Sequence, residues 1–144
     1  PSSVELAKLY SKEFYLKLRP ILAETGMVAV QATSPYHASE TYLGIKRTME
    51  AAGFRTLPYH DNVPSFGDWG WLLGWKNASS EDAARARIAR LGQFQVETNY
   101  LTPEVFRRAL VFGKSWLESR HDDISTLMDP KVLYYYLDES WKVD

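Results

Sequence analysis

The sequence predicts an α/β domain with a helical C-terminal extension. Three observations lead there. Apolar runs at 27–32 and 69–76 are short and bounded, as buried strands are. Segments with apolar residues at helical spacing precede, separate and follow them. Gly26, Gly53 and the Thr33-Ser34-Pro35 break mark the boundaries.

Ser2 or Ser3 can cap a first helix that carries Glu5 in its opening turn. Leu6, Leu9, Tyr10, Phe14, Leu18, Ile21 and Leu22 continue the helical spacing. Ser11 can restart a second helix, and Pro20 either kinks the element or marks its last turn before Gly26. Met27 to Ala32 then reads as a strand. A helix follows from about Ala38 to Ala52, with Tyr42, Ile45 and Met49 on one side, and Gly53 closes it. Phe54 to His60 alternates like a strand, and Pro58 places it at an edge or a bulge. A turn-rich loop, Asp61 to Asp68, leads to a further strand from Trp69 to Lys76. The spacing allows an antiparallel hairpin. The expected strand at 26–32 has neighbours at 54–60 and 69–76.

Residues 77–144 read as helical decoration on the same domain. Ser80-Glu81-Asp82 opens a helix over about 81–91, and Thr102-Pro103-Glu104 starts another. The tail, with Tyr134, Tyr135, Tyr136 and Trp141, reads as a helix packed on the body.

Composition narrows the function. The 144 residues are 45% hydrophobic and 24% charged, enough for one buried core. With 17 basic and 18 acidic residues, the net charge of −1 argues against nucleic-acid binding driven by charge. There is no cysteine, so disulfides, thiolate chemistry and cysteine metal sites are excluded. That absence fits a reducing, cytoplasmic compartment. No apolar run approaches the roughly 18–20 residues of a membrane-spanning helix. His37, His60 and His121 are far apart and have no partner at ligand spacing, so no metal site is expected. Asp122-Asp123 reads as an exposed helix boundary. The chain lacks a phosphate loop, a dinucleotide fingerprint and a nucleophile elbow.

Two places carry candidate chemistry. Gln31 stands at the end of the first strand, where open α/β sheets bind ligands, and its amide oxygen can hold an amine. The same Gln reads equally as a surface residue at a strand exit. The segment Val63-Pro64-Ser65-Phe66-Gly67-Asp68-Trp69-Gly70-Trp71 is dense in rings around one carboxylate. Phe66 and Trp69 can wall a cationic ligand and Asp68 can pair with its ammonium. Trp69 and Trp71 also share a strand face and read as core.

The run Leu9-Tyr10-Ser11-Lys12-Glu13-Phe14-Tyr15, the run Gly26 to Pro35 and the Val63–Trp71 loop together resemble the C-terminal half of polyamine aminopropyltransferases, the spermidine synthase family. The loop is closer to thermospermine synthases and bacterial spermidine synthase-like proteins. Residues 1–76 carry the resemblance; beyond them it is loose, through Tyr100 to Glu104. It implies a partial Rossmann-like, methyltransferase-type sheet with a β-hairpin edge. It also implies transfer of a propylamine group from decarboxylated S-adenosylmethionine to putrescine or another polyamine. Gln31 matches the family's strand-end Gln that helps hold the amine. Phe66 stands about where many members have a substrate-binding Tyr, without the hydroxyl, and Trp69 stands near an aromatic of the polyamine channel. The family's donor site and catalytic Asp precede the region matched here, so no catalytic residue is assigned. Pro1 in place of a Met points the same way, to a fragment inactive alone and binding no cofactor itself. Some bacterial relatives carry a membrane-spanning region ahead of the catalytic part.

Two other readings remain open. One is a non-catalytic α/β binding or self-association module, and the other a different Rossmann-like transferase. A half-sheet leaves an open edge, so a homo-oligomer is expected.

Overall fold

A computed structural model describes residues 1–139 of the chain. Trp141, expected in the packed tail, lies outside the described residues. Among these residues six α-helices and three strands follow in the order α1 (Val4–Ala7), α2 (Lys12–Leu18), β1 (Met27–Gln31), α3 (Ser39–Ala51), β2 (Arg55–Val63), β3 (Gly67–Trp75), α4 (Glu81–Ala89), α5 (Pro103–Ala109) and α6 (Lys131–Glu139).

Local chemistry sets most helix starts. Ser3, Ser11, Ser80 and Thr102 each cap the helix that follows, their side-chain oxygens accepting from the N–H groups of Leu6, Phe14, Ala83 and Val105. Ser11 does restart a second helix, and Pro20 sits in a 3₁₀ turn at 19–21 that finishes it. Asp122 and Asp123 are not a helix boundary. They lie in the irregular segment between α5 and α6, where the Asp123 carboxylate accepts from the Tyr135 hydroxyl and its carbonyl from Arg47 Nε at 3.1 Å.

The sheet order is β1-β3-β2, and β3 runs antiparallel to both neighbours. β1 and β2 are thus parallel but not adjacent, with β3 between them. The neighbour expected at 54–60 is therefore one strand removed from β1. The reason is burial. β3 is apolar on both faces, with Leu72, Gly74 and Trp75 buried, and such a strand belongs inside a sheet. Pro58 cannot donate to a second ladder, and β2 takes the edge. The hairpin is longer than the sequence indicates. The strands run through Val63 and from Gly67, so the expected loop at 61–68 shrinks to three residues, Pro64 to Phe66. Ser65 at φ 74° and Gly67 at φ 75° supply its left-handed turn.

One sheet face packs on α2 and α3. Tyr15, Tyr42, Ile45, Met49, Phe54 and Leu72 meet there in the buried core, joined by Val132 from α6. The other face carries Leu57, Leu73 and Trp75. It faces α4 and α5 across an apolar cavity of about 460 Å³ that Ile88 and Phe106 also line.

Candidate functional site

The parallel strands β1 and β2 both end at one rim of the sheet, and the β2–β3 hairpin projects beyond it. Two backbone hydrogen bonds pin the chain leaving β1 to the start of β3. Ala32 N–H donates to the Gly70 carbonyl at 2.9 Å, and Gly70 N–H to the Thr33 carbonyl at 2.7 Å. Thr33 takes φ 67°, a left-handed conformation costly for a β-branched residue and held here by those bonds.

Cross-strand partners share a face, and faces alternate along each strand. Gln31 pairs with Trp71, Trp71 with Tyr59, and Trp69 with Asp61. Gln31, Trp69, Trp71, Tyr59 and Asp61 therefore share the face turned toward α5. Gln31 is exposed there, and its carbonyl accepts from the Tyr10 hydroxyl at 3.2 Å. Phe66, 66% exposed at the hairpin turn, leans on Trp69 with ring centroids 5.5 Å apart. The Trp69 indole N–H is buried without a hydrogen-bond partner among the described residues.

Asp68 departs from this group. It stands at the same rim, but its register position opposite Asn62 puts it on the α3 face. There His60 Nδ1 lies 2.6 Å from Asp68 Oδ1, and His60 Nε2 lies 2.5 Å from the Val111 carbonyl. Asp68 Oδ2 is buried and unbonded among the described residues. The His60 ring packs 4.4 Å from Phe112 and 5.6 Å from Trp116, and Trp116 lies 5.3 Å from Tyr36. The rim therefore includes a second aromatic group, contributed by the C-terminal extension.

The carboxylate on the Gln31 face is Asp61. Its Oδ1 accepts from Arg108 Nη2 at 2.7 Å and its Oδ2 from the Tyr100 hydroxyl at 2.8 Å. Arg108 also donates to the Tyr100 oxygen at 3.2 Å. That hydrogen bond, then the Asp61 charge, hold the guanidinium pKa above its ordinary value, so it stays charged. Tyr59 stacks on Trp71 at 5.6 Å and meets Phe106 edge-on. Burial raises the Tyr59 hydroxyl, keeping it neutral. Together these rings and Asp61 line a cavity of about 320 Å³. Sequence reading passed over Asp61 because it placed that residue in a loop. Extending the alternation from Leu57 through Tyr59 to Asp61 is the signal that finds it.

This arrangement, a strand-end amide, aromatic walls and a carboxylate, suits an aliphatic amine: rings contact methylenes and attract an ammonium. Among the described residues no group of three or more His, Asp or Glu is placed to hold a metal ion. No helix among them is long and apolar enough to cross a membrane.

Residues 1–85 match the family model described as the spermine/spermidine synthase domain. The chain belongs to the spermine/spermidine synthase family. It is 42% identical over 144 residues to polyamine aminopropyltransferase 1 of Streptomyces coelicolor, covering 99% of this chain and 25% of that protein. It is 45% identical over 141 residues to the polyamine aminopropyltransferase of Leptospira interrogans, covering 98% and 26%. The corresponding Shewanella oneidensis protein is 33% identical over 141 residues, covering 98% and 24%. The chain thus spans about a quarter of the length of these relatives. The spermine/spermidine synthase model ends near α4, yet the relatives match through the C-terminal extension that carries Tyr100, Arg108, Val111 and Trp116. The sheet is a partial methyltransferase-type fold, with the hairpin edge that the resemblance implies.

Proposed function

We propose that this chain is the acceptor side of a spermidine synthase-like aminopropyltransferase. The reaction moves a propylamine group from decarboxylated S-adenosylmethionine to a polyamine such as putrescine. The observation that carries the reading is the single face shared by Gln31, Trp69 and Trp71 at the carboxyl rim of β1, with Phe66 packed on Trp69.

In this reaction the neutral acceptor nitrogen attacks the donor carbon beside the sulfonium. A C–N bond forms, the C–S bond breaks, and methylthioadenosine leaves with the bonding pair. The new ammonium then gives up a proton. The Gln31 amide oxygen accepts an N–H from the attacking amine and orients its lone pair. The rings exclude water and contact methylenes. In the family that the chain resembles, the donor site and the base precede the matched region, so the chain by itself transfers nothing.

The test uses the complete protein that contains this chain, with decarboxylated S-adenosylmethionine and putrescine, spermidine or agmatine. Methylthioadenosine release is expected, and Gln31→Ala lowers kcat/KM by about tenfold or more. Absence of release with every acceptor sinks the proposal.

One observation favours a second role, self-association. Among the described residues β1 pairs only with β3, leaving its other edge open. Tyr134 and Leu137 are exposed on α6. Light scattering of the chain, concentrated, reads the oligomer mass; a monomer mass throughout excludes this role.

A further inference from the structure

We propose that Asp61 and Arg108 form a length-selecting subsite for the distal ammonium of a long linear polyamine, with Arg108 holding the place of that ammonium until the polyamine arrives. The inference rests on the acceptor-side reading above.

Geometry sets the length. From Gln31 to Asp61 the path crosses two strand spacings and advances two residues, about 12 Å in all and roughly twice the span of a four-carbon diamine. A diamine whose reacting nitrogen sits at Gln31 falls short of Asp61. A triamine reaches it, lying along Trp71 and Tyr59, whose stacked rings line the cavity of about 320 Å³ beside Asp61.

Charge sets the occupant. Asp61 is a carboxylate whose side chain is 20% exposed, at one end of an apolar cavity, and such a group demands a cation. Arg108 supplies it at 2.7 Å, but from a side chain 61% exposed. An exposed ion pair is held weakly, so the guanidinium can swing to solvent when a ligand cation replaces it. An incoming ammonium takes over both acceptors that Nη2 uses, Asp61 Oδ1 and the Tyr100 oxygen. Tyr100 keeps its own donation to Asp61 Oδ2. The substitution leaves no buried acceptor unbonded.

Two variants move specificity in opposite directions, which a purely structural ion pair does not. In the complete protein, the ratio of kcat/KM for spermidine to that for putrescine falls about tenfold in Asp61→Asn. It rises in Arg108→Gln, where the internal competitor is gone. Both ratios within about twofold of wild type overturn the subsite and leave the acceptor-side reading standing wherever wild type still transfers. Where wild type transfers nothing, that reading fails, and the chain alone decides the subsite. Spermidine titrations read by tryptophan fluorescence are then expected to show binding that weakens in Asp61→Asn and tightens in Arg108→Gln. Equal responses in all three proteins, or none in any, overturn it.

Discussion

His60 bridges Asp68 and the Val111 carbonyl, at 2.6 Å and 2.5 Å from its two ring nitrogens. The ring thereby fastens the hairpin to the chain that follows α5. His60→Phe keeps the ring packing on Phe112 and Trp116 but strips both polar contacts, leaving neither Asp68 oxygen bonded among the described residues. A loss of about 1–3 kcal/mol is expected in urea denaturation. Adding Asp68→Asn returns part of it, because the stranded charge goes. A cycle with no coupling between the two positions contradicts the bridge.

Glu40 makes the fold acid-sensitive. Its carboxylate is 7% exposed and accepts from the Ser119 hydroxyl and, at 3.0 Å, from the Arg120 N–H. Burial pushes its pKa up, but these hydrogen bonds, with His121 and Arg47, bring it below the ordinary value. Asp123 is lowered as well, first by the Tyr135 hydroxyl. Because the folded values are depressed, the stabilisation is present above the ordinary carboxyl range, about pH 4–4.5. It is lost as pH falls through the folded values. The urea midpoint should therefore drop below about pH 4, and Glu40→Gln should lose stability at pH 7 while falling less steeply in acid. An identical acid limb in wild type and variant counts against Glu40.

The N-terminus of α3 is capped from a distance. Ala38 offers no side-chain acceptor, and Glu139 of α6 takes its place. Its two oxygens accept from the Glu40 N–H, and from the Thr41 N–H and hydroxyl, each at 2.9 Å. A carboxylate there satisfies orphan donors and meets the positive end of the helix dipole. Glu139→Ala should cost about 1–2 kcal/mol, with amide exchange accelerated at the start of α3. Unchanged protection of Glu40 and Thr41 removes the claim.

Gly70 allows three segments to meet. A Cβ there would stand 2.5 Å from Tyr42 Cε2, 2.9 Å from Pro35 Cδ and 3.0 Å from the Thr33 carbonyl. Neither backbone nor a fully buried Tyr can give way cheaply. Gly70→Ala should cost about 1–3 kcal/mol and, in the complete protein, raise the acceptor KM, since the segment after Gln31 is displaced. Wild-type melting temperature in this variant refutes the crowding.

The sequence by itself determined the elements. Ser11, Ser80 and Thr102 announce their helices because capping is local, settled within three residues of the cap. Gln31 at a strand end follows from strand chemistry alone, and Pro58 narrows its strand to an edge or a bulge. Tertiary structure decided the partners. Nothing near β1 in sequence says that β3 inserts between β1 and β2; that follows from burying a strand apolar on both faces. The alternation that separates Asp68 from Gln31 depends on where the hairpin turns. Ser65 and Gly67, at positive φ, let it turn within three residues, so Asp61 and Asp68 become strand residues on opposite faces. His60, unpartnered in sequence, gains Val111 from 51 residues away, and Glu139 reaches α3 from 99 residues away. Such contacts are settled by packing in three dimensions, because a side chain's partner across the fold leaves no periodicity in its own neighbourhood.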